Sequence, residues 1–335
     1  MIDPSGPDDE MLAALQRLGL VGGNARFAPL PGGVSSDIWK VETESHVFCV
    51  KRALPKLKVA ADWLAPVERN RFEAIWYETA NRIIPGVAPR VLAYDEDAML
   101  FAMDYLDPAT FRLWKSELRD GRTDPVHAER VGQCLVRIHA ATAGDTVVRE
   151  RFPRADIFHA IRLEPYLEAT AARHPDLQNA LYALSRRTAA TRLAMIHGDV
   201  SPKNVLIGPN GPVFIDAECA CVGDPVFDLA FCLNHLLLKC LWKPSAREGF
   251  LGGFVSMVAA YLEGVTWEPR AALEARAASL LPGLFLARVD GKSPVEYLND
   301  ENDRNRVRRC ARGLLQAPPG RLSGVLDAWE REMNT

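Results

Sequence analysis

Residues 195–230 read MIHGDVSPKNVLIGPNGPVFIDAECACVGDPVFDLA, and the polar residues set into this apolar stretch decide how the rest of the chain is understood. Met195 and Ile196 lead into a turn made by His197, Gly198 and Asp199, and Asn204 follows after the four residues Val200 to Lys203. Val205, Leu206 and Ile207 predict a short strand. Gly208-Pro209-Asn210-Gly211 reverses the chain, and Val213, Phe214 and Ile215 predict a second strand ending on Asp216. Such a hairpin carries Asn204 and Asp216 at the outer ends of its two strands, where both can converge on one ion. Glu218, just beyond, offers a second carboxylate.

Phosphoryl transfer asks a protein mainly to position groups and neutralise charge, so it needs a carboxylate at the attacking hydroxyl and hard oxygen ligands for magnesium. Asp199 fits the first task, and the pair Asn204 and Asp216 fits the second. Taken singly, HGD or IDxE is also what a loop uses to cap its own turns. Here the spacings occur together and in order, as in the pattern H-R-D-x-x-x-x-N followed by a metal-binding aspartate.

HGDVSPKN, VFIDAE and GDPVFDLA together resemble the aminoglycoside phosphotransferase and choline kinase group of small-molecule kinases. The resemblance implies an α+β, protein-kinase-like fold of two lobes, a small β-rich N-lobe and a larger helical C-lobe. It also implies that Asp199 is the catalytic base, that Asn204 and Asp216 hold Mg2+, and that Asp228 hydrogen-bonds the catalytic loop from below. Lys203 lies where some kinases keep a cation near the transferred phosphoryl group; a solvated turn lysine is the other reading.

The N-terminal third fits the same frame. Asp8 and Asp9 cap a first helix with Met11, Leu12, Leu15 and Leu18 on one face, and Gly22-Gly23 is expected to end it. Phe27 to Thr43 reads as strand, turn, strand. The turn residues Gly32, Gly33 and Ser35 offer backbone and hydroxyl donors to ATP phosphates, although G-x-G-x-x-G is absent and a bare hairpin turn is the competing reading. Position favours the phosphate loop, because the next strand, His46 to Lys51, ends on a lysine that alternation places opposite Phe48 and Val50. Phe48-Cys49-Val50-Lys51 is similar to the kinase pattern V-A-I-K, which implies a partner glutamate on the following helix. That helix is expected over Glu68 to Arg82, with Glu73 as first choice and Glu78 as second. Phe72, Ile75, Trp76, Thr79 and Ala80 form its apolar stripe.

The insert Lys56 to Val67, with ERNRFEA after it, loosely resembles methylthioribose kinase, a sugar kinase of the same superfamily. Residues 89–94 and 99–103 predict two more strands. In the family the second leads into the hinge, where backbone groups around Asp104 and Leu106 would bond adenine. The expected division is a nucleotide-binding lobe over residues 1–105 and a catalytic, metal-binding and substrate-binding lobe over 106–335.

Beyond Pro108 helical signals dominate. Val131, Cys134, Leu135 and Ile138 predict a core helix ending near His139, which reads as a structural histidine. Ile157 to Thr170, Asp176 to Leu193, Phe227 to Trp242 and Phe250 to Leu262 are further helices, and Leu280 to Leu286 is an apolar segment. Gly291-Lys292-Ser293 is no P-loop, because Leu286 stands where its first glycine belongs. In the basic run after Asp303, Arg304, Arg308 and Arg312 share a helix face by i, i+4 spacing, much of it solvated charge. An arginine pair holds substrate in methylthioribose kinase, so Arg308 and Arg309 become candidate substrate ligands.

With 335 residues, 48% of them hydrophobic, the chain can bury a large core, and a net charge of −3 gives no field for nucleic acid. The N-terminus lacks the pattern of a secretory signal, and the run Leu229 to Trp242 is broken by Asn234, His235 and Lys239. The expectation is a soluble cytoplasmic protein without a membrane partner. The seven cysteines lack a C-x-x-C spacing, so reduced thiols are expected and core packing outweighs a zinc site at Cys219, Cys221, Cys232, His235 and Cys240. The sequence thus predicts an ATP-dependent phosphotransferase acting on a small-molecule hydroxyl, a sugar or polyol in first place. Aminoglycoside or amino-alcohol kinases, a non-catalytic nucleotide-binding scaffold and a protein kinase are the alternatives.

Overall fold

The computed structural model describes residues 6–31, 36–55 and 66–335. Helix α1 (Asp9–Arg17) starts where the Asp8 carboxylate accepts the Met11 N–H at 2.9 Å. It ends at Arg17, ahead of Gly22-Gly23, because the N–H groups of Leu18, Gly19 and Leu20 turn back onto carbonyls of its last turns. Strands β1 (Arg26–Pro29), β2 (Ser36–Glu42), β3 (Val47–Ala53), β4 (Val91–Asp95) and β5 (Leu100–Asp104) form an antiparallel sheet in the order β1-β2-β3-β5-β4. The alternation read in β3 holds. Phe48 and Val50 pack with Met11, Ala14 and Leu15 of α1 in one small core, and Lys51 points the other way.

Helix α2 (Arg69–Ile83) lies on that other side. Its stripe of Phe72, Ile75, Trp76, Thr79 and Ala80 is buried throughout. The Trp76 ring stands edge-on to His197 at 4.9 Å and to Phe214 at 5.9 Å, so the helix that faces Lys51 is keyed directly into the HGD loop.

After β6 (Arg112–Leu113) come α3 (Trp114–Arg119), α4 (Pro125–Thr142), α5 (Thr146–Arg151) and the short α6 (Asp156–Phe158). The chain then runs through a π-helix, His159–Glu168, into α7 (Ala169–Arg173), and on to α8 (Gln178–Ala190). Strands β7 (Ala194–Ile196), β8 (Val205–Gly208), β9 (Gly211–Phe214) and β10 (Cys221–Gly223) carry the quoted stretch, with β7 paired to β10 and β6-β8-β9 forming a small sheet. The remainder is α9 (Val226–Trp242), α10 (Arg247–Glu263), α11 (Arg270–Asp290), α12 (Glu301–Gln316) and α13 (Leu322–Met333).

Every residue of α9 from Val226 to Leu241 is buried, as a helix apolar on nearly all sides must be. Helices α4 and α10 approach so closely that a Cβ on Gly132 would stand 2.7 Å from the Met257 carbonyl oxygen. Among the described residues no helix is long and apolar enough to cross a membrane. All seven cysteines are unpaired, and all but Cys134 are buried. Residues 291–293 follow α11 and serve packing, with Lys292 ion-paired to Glu164 and Ser293 bonded to Arg288. The whole is an α+β molecule of two lobes, a five-stranded sheet with α1 and α2 set against a helical body.

Candidate active site

The hairpin reading fixes the site's base. Pro202–Asn204 forms one turn of 3₁₀ helix, Val205 pairs with Phe214, and the Ile215 N–H donates to the Asn204 carbonyl at 3.0 Å. Asp216 therefore emerges beside Asn204. Its φ of +64° is left-handed, a conformation Asp tolerates better than most residues, and the Tyr77 hydroxyl secures it by accepting the Asp216 N–H at 2.7 Å.

The loop ahead of the hairpin is held from beneath. Asp228 of α9 accepts the His197 N–H at 2.7 Å and the Gly198 N–H at 2.8 Å, the bonds the sequence resemblance implied. Its Oδ2 also meets His139 Nε2 at 3.2 Å, and Tyr261 meets the other ring nitrogen at 2.7 Å, so His139 is structural as read. Gly198 has φ +78°, and a Cβ there would stand 2.7 Å from the Cys219 carbonyl oxygen, so no other residue fits between His197 and Asp199. His197 Nε2 faces the Ile215 carbonyl at 3.1 Å, and its Nδ1 faces the Asp199 N–H at 3.2 Å. A carbonyl only accepts and an amide N–H only donates, which assigns the proton to Nε2. Burial lowers the imidazole's affinity for a second proton.

Asp199 is buried and surrounded by donors. Its Oδ2 lies 2.6 Å from Arg162 Nη2, 3.2 Å from Lys203 Nζ and 2.8 Å from Asn204 Nδ2. Burial opposes its charge, but Arg162 and Lys203 outweigh burial and hold the carboxyl below its ordinary range. It is thus an ionised acceptor, as a group that takes a hydrogen bond from a hydroxyl must be. Arg162, absent from the sequence-derived site, comes from the π-helix and also donates from Nε to the Gly198 carbonyl at 2.9 Å. An i→i+5 helix at a functional position is a recurrent association. Its only sequence signal is a charge between Ile161 and Leu163 on a buried face.

A second ionic group stands alongside. Lys51 Nζ lies 2.8 and 2.7 Å from the two oxygens of Glu73 and 2.6 Å from Asp216 Oδ1. Glu73 is therefore the partner, and Glu78 pairs with Arg151 instead. Tyr77, one helical turn after Glu73, donates to it at 2.6 Å and so joins both acids. Burial works against the ammonium, yet Asp216 and Glu73 raise its proton affinity well above the usual lysine range, while burial pushes the Glu73 carboxyl up. Burial also pushes at Asp216, but Lys51 and Lys203 hold it low.

Magnesium fits these residues by donor chemistry. Asn204 spends its amide nitrogen on Asp199, and Asp216 spends one oxygen on Lys51. This leaves Oδ1 of Asn204 and Oδ2 of Asp216, two hard oxygens, without a hydrogen bond among the described residues. Mg2+ characteristically takes one or two protein oxygens and fills its octahedron with phosphate and water. Among the described residues no group of three or more His, Cys, Asp and Glu side chains forms a complete cage. Glu218 accepts from Arg69 Nε at 3.0 Å, and Arg69 in turn bonds the carbonyls of Leu54 and Pro66.

The remaining sequence-derived residues are spread more widely. Gly32, Gly33 and Ser35 lie outside the described residues. Asp104 closes β5, its N–H bonded to the Arg90 carbonyl and its carboxylate 3.3 Å from Arg90. With Leu106 it lines a cavity of about 250 Å³ that also touches the hairpin tip at Gly208 to Gly211, the end away from Asp216. Arg308 forks onto Asp290 at 2.8 and 2.9 Å and pairs with Glu301, and Arg309 reaches Glu332 at 2.5 Å. Among the described residues no hydrogen bond or ion pair links either arginine to Arg162, Lys203 or Asn204, the partners of Asp199.

A buried, ionised aspartate on an HGD loop, an Asn/Asp pair at a hairpin mouth and a strand lysine tied to a helix glutamate define the class of protein-kinase-like phosphotransferase centres. Residues 26–273 match the family described as the phosphotransferase enzyme family, and the chain belongs to it. A methylthioribose kinase of Pectobacterium atrosepticum is 25% identical over 249 residues, covering 64% of this chain and 61% of that kinase. The chain thus spans about three fifths of the length of the curated relative. A methylthioribose kinase of Yersinia pseudotuberculosis is 22% identical over 79% of this chain and 78% of its own. Solved structures share the fold. A choline/ethanolamine kinase family protein from Mesorhizobium loti superposes with a TM-score of 0.52 at 16% identity, covering 96% of this chain and 99% of its own. An amicoumacin kinase in complex with AMP-PNP and Ca2+ superposes with a TM-score of 0.57 at 13% identity, covering 93% and 95%.

Proposed function

We propose that this protein transfers the γ-phosphoryl group of ATP to a hydroxyl of a small molecule of the sugar or polyol class. The observation that carries the reading is the set of donors around Asp199, namely Arg162, Lys203 and Asn204, which keeps that carboxylate ionised while Asn204 Oδ1 and Asp216 Oδ2 make no hydrogen bond among the described residues. The acceptor oxygen attacks the γ-phosphorus, the bond to the β-phosphate oxygen breaks, ADP leaves, and the hydroxyl proton passes to Asp199. Lys51, held by Glu73, grips the α/β-phosphates. The phosphate-loop role expected of Gly32, Gly33 and Ser35 falls on residues outside those described, and backbone groups around Asp104 and Leu106 take adenine. Asn204 and Asp216 would hold Mg2+, which neutralises phosphate charge when bound; Glu218, tied to Arg69, supports the site from one step further out. In this reading residues 1–105 bind nucleotide and 106–335 carry catalysis and the acceptor.

The relatives named methylthioribose kinase support a sugar hydroxyl. The charges beside Asp199 argue in the same direction. Arg162 and Lys203 face it, and a cationic aminoglycoside or amino alcohol would meet like charge there. The test is transfer of label from [γ-³³P]ATP to a panel of sugars, polyols, amino alcohols and aminoglycosides. Labelled sugar or polyol is the expected product. Efficient labelling confined to the cationic compounds would overturn the substrate class.

A further inference from the structure

Lys239, in the last turn of the most buried helix, is 1% exposed and lacks a carboxylate partner among the described residues. Its Nζ lies 4.4 Å from the Trp242 ring centroid and 4.6 Å from that of Tyr297. A second buried cation faces the same region. Arg288 of α11 bonds the Tyr166 hydroxyl at 3.0 Å and Ser293, has no ion pair among the described residues, and leaves its buried Nε unpartnered. Among the described residues the buried Tyr297 hydroxyl also lacks a hydrogen-bond partner. Lys115 completes the group. It is paired with Glu296, so three cations answer to one carboxylate. Burying a charge without a counter-charge is costly enough that folded proteins avoid it unless something else arrives to match it.

This group adjoins the proposed catalytic centre. Arg162, which clamps Asp199, lies over the rings of Tyr166 and Phe231 at 5.8 and 6.0 Å, and Arg288 lies over the same Tyr166 ring at 5.5 Å. Phe231, His235 and Lys239 follow one another at i, i+4 spacing on a single face of α9, with the Phe231 and His235 rings 5.4 Å apart. That face covers about 12 Å from Phe231 to Lys239 at 1.5 Å per residue. Burial first, then Arg288, Lys239, Lys203 and Lys115, keep His235 neutral. Burial, helped by Lys115, pushes the Lys239 ammonium down to about 7 although Glu296 opposes it. A bound anion would restore its charge. Lys115 and Lys203, which both act on His235, are 32% and 53% exposed.

We propose that Lys239 and Arg288 form the anion-binding end of the acceptor site, so that the acceptor carries a carboxylate or phosphate group besides the hydroxyl that meets Asp199. This rests on the phosphotransferase reading and narrows it to anionic hydroxy compounds. Two probe pairs differ only in that group: ribose 5-phosphate against ribose, and D-glycerate against glycerol. With ATP and Mg2+, the anionic member of at least one pair should show a kcat/KM at least tenfold above its neutral partner, the phosphate pair and the carboxylate pair distinguishing the two sources of charge. With AMP-PNP and Mg2+ saturating, inorganic phosphate or D-glycerate should raise Tm saturably against chloride at equal ionic strength. Lys239→Met should abolish that rise and reduce kcat/KM for the anionic acceptor at least tenfold, with AMP-PNP affinity unchanged. Lys115→Met, away from the core, should weaken the anion response in the same direction. Equal use of neutral and anionic members, no saturable rise with either anion, or a response that survives Lys239→Met would overturn the proposal. Failure of the wild-type protein to bind AMP-PNP would instead overturn the phosphotransferase reading.

Discussion

Replacing Arg162 with Met tests whether the π-helix arginine sets the charge of Asp199. In the wild-type protein Arg162 Nη2 lies 2.6 Å from the carboxylate, with both groups buried. Removing one partner of a buried pair costs about 3–5 kcal/mol. Lys203 and Asn204 remain on the same oxygen, which places the loss at the lower end, about 3 kcal/mol. The sign follows from the depressed value. Asp199 in the wild-type protein is ionised at all pH above its ordinary 3.8, and its pairing energy is lost only as pH falls through the lower folded pKa. In Arg162→Met the carboxyl becomes easier to protonate, so the acid limb of kcat/KM should move to higher pH than in the wild-type protein. The assay is kcat/KM against pH with an acceptor identified by label transfer, together with denaturant unfolding at neutral pH. Arg162→Lys keeps the charge and loses the fork, so its profile should fall between the two. Superimposable profiles for wild type and Arg162→Met, with stability unchanged to about 0.5 kcal/mol, would refute the assignment.

Asp216→Ala removes the charged oxygen proposed for magnesium, so Mg2+ should no longer strengthen AMP-PNP binding in calorimetric titrations; a metal dependence equal to wild type would count against that role. Gly132→Ala drives a Cβ to 2.7 Å from the Met257 carbonyl, a backbone atom that cannot turn aside, and overpacking of this kind costs about 1–3 kcal/mol. A lowered Tm with unchanged kinetic constants is expected, and a Tm at or above wild type would contradict the close α4–α10 packing.

Much of the site was legible because its chemistry is local. The spacing from Asp199 to Asn204 and the hairpin turn are short-range patterns that the structure assembles as read, while the second strand ends on Phe214 and Asp216 follows it in a left-handed conformation. Lys51 and Glu73 were legible for a related reason, since strand alternation and helix periodicity each name one face. Arg162 was hidden because its partner lies on a different element, and because apolar spacing cannot distinguish a π-helix from an α-helix. The end of α1 was misplaced at Gly22-Gly23 because earlier backbone groups close the helix without needing them. Arg308 and Arg309 stood out as adjacent charges, but their carboxylate partners come from α11 and α13 as well as from their own helix, which no local pattern reveals. Lys239 looked like an interruption of an apolar run, and its meaning depends on Trp242, Tyr297 and Arg288 meeting around it.

The role of Asp199 as the group that takes the acceptor proton carries the whole account, and Asp199→Asn isolates it, because the amide keeps the shape and removes the basic oxygen. Single-turnover transfer from [γ-³³P]ATP should fall by about 10²–10⁴-fold, the usual contribution of a positioned base, while the Kd for AMP-PNP with Mg2+ stays within about threefold of wild type. Label transfer by Asp199→Asn within a few-fold of the wild-type rate would contradict it.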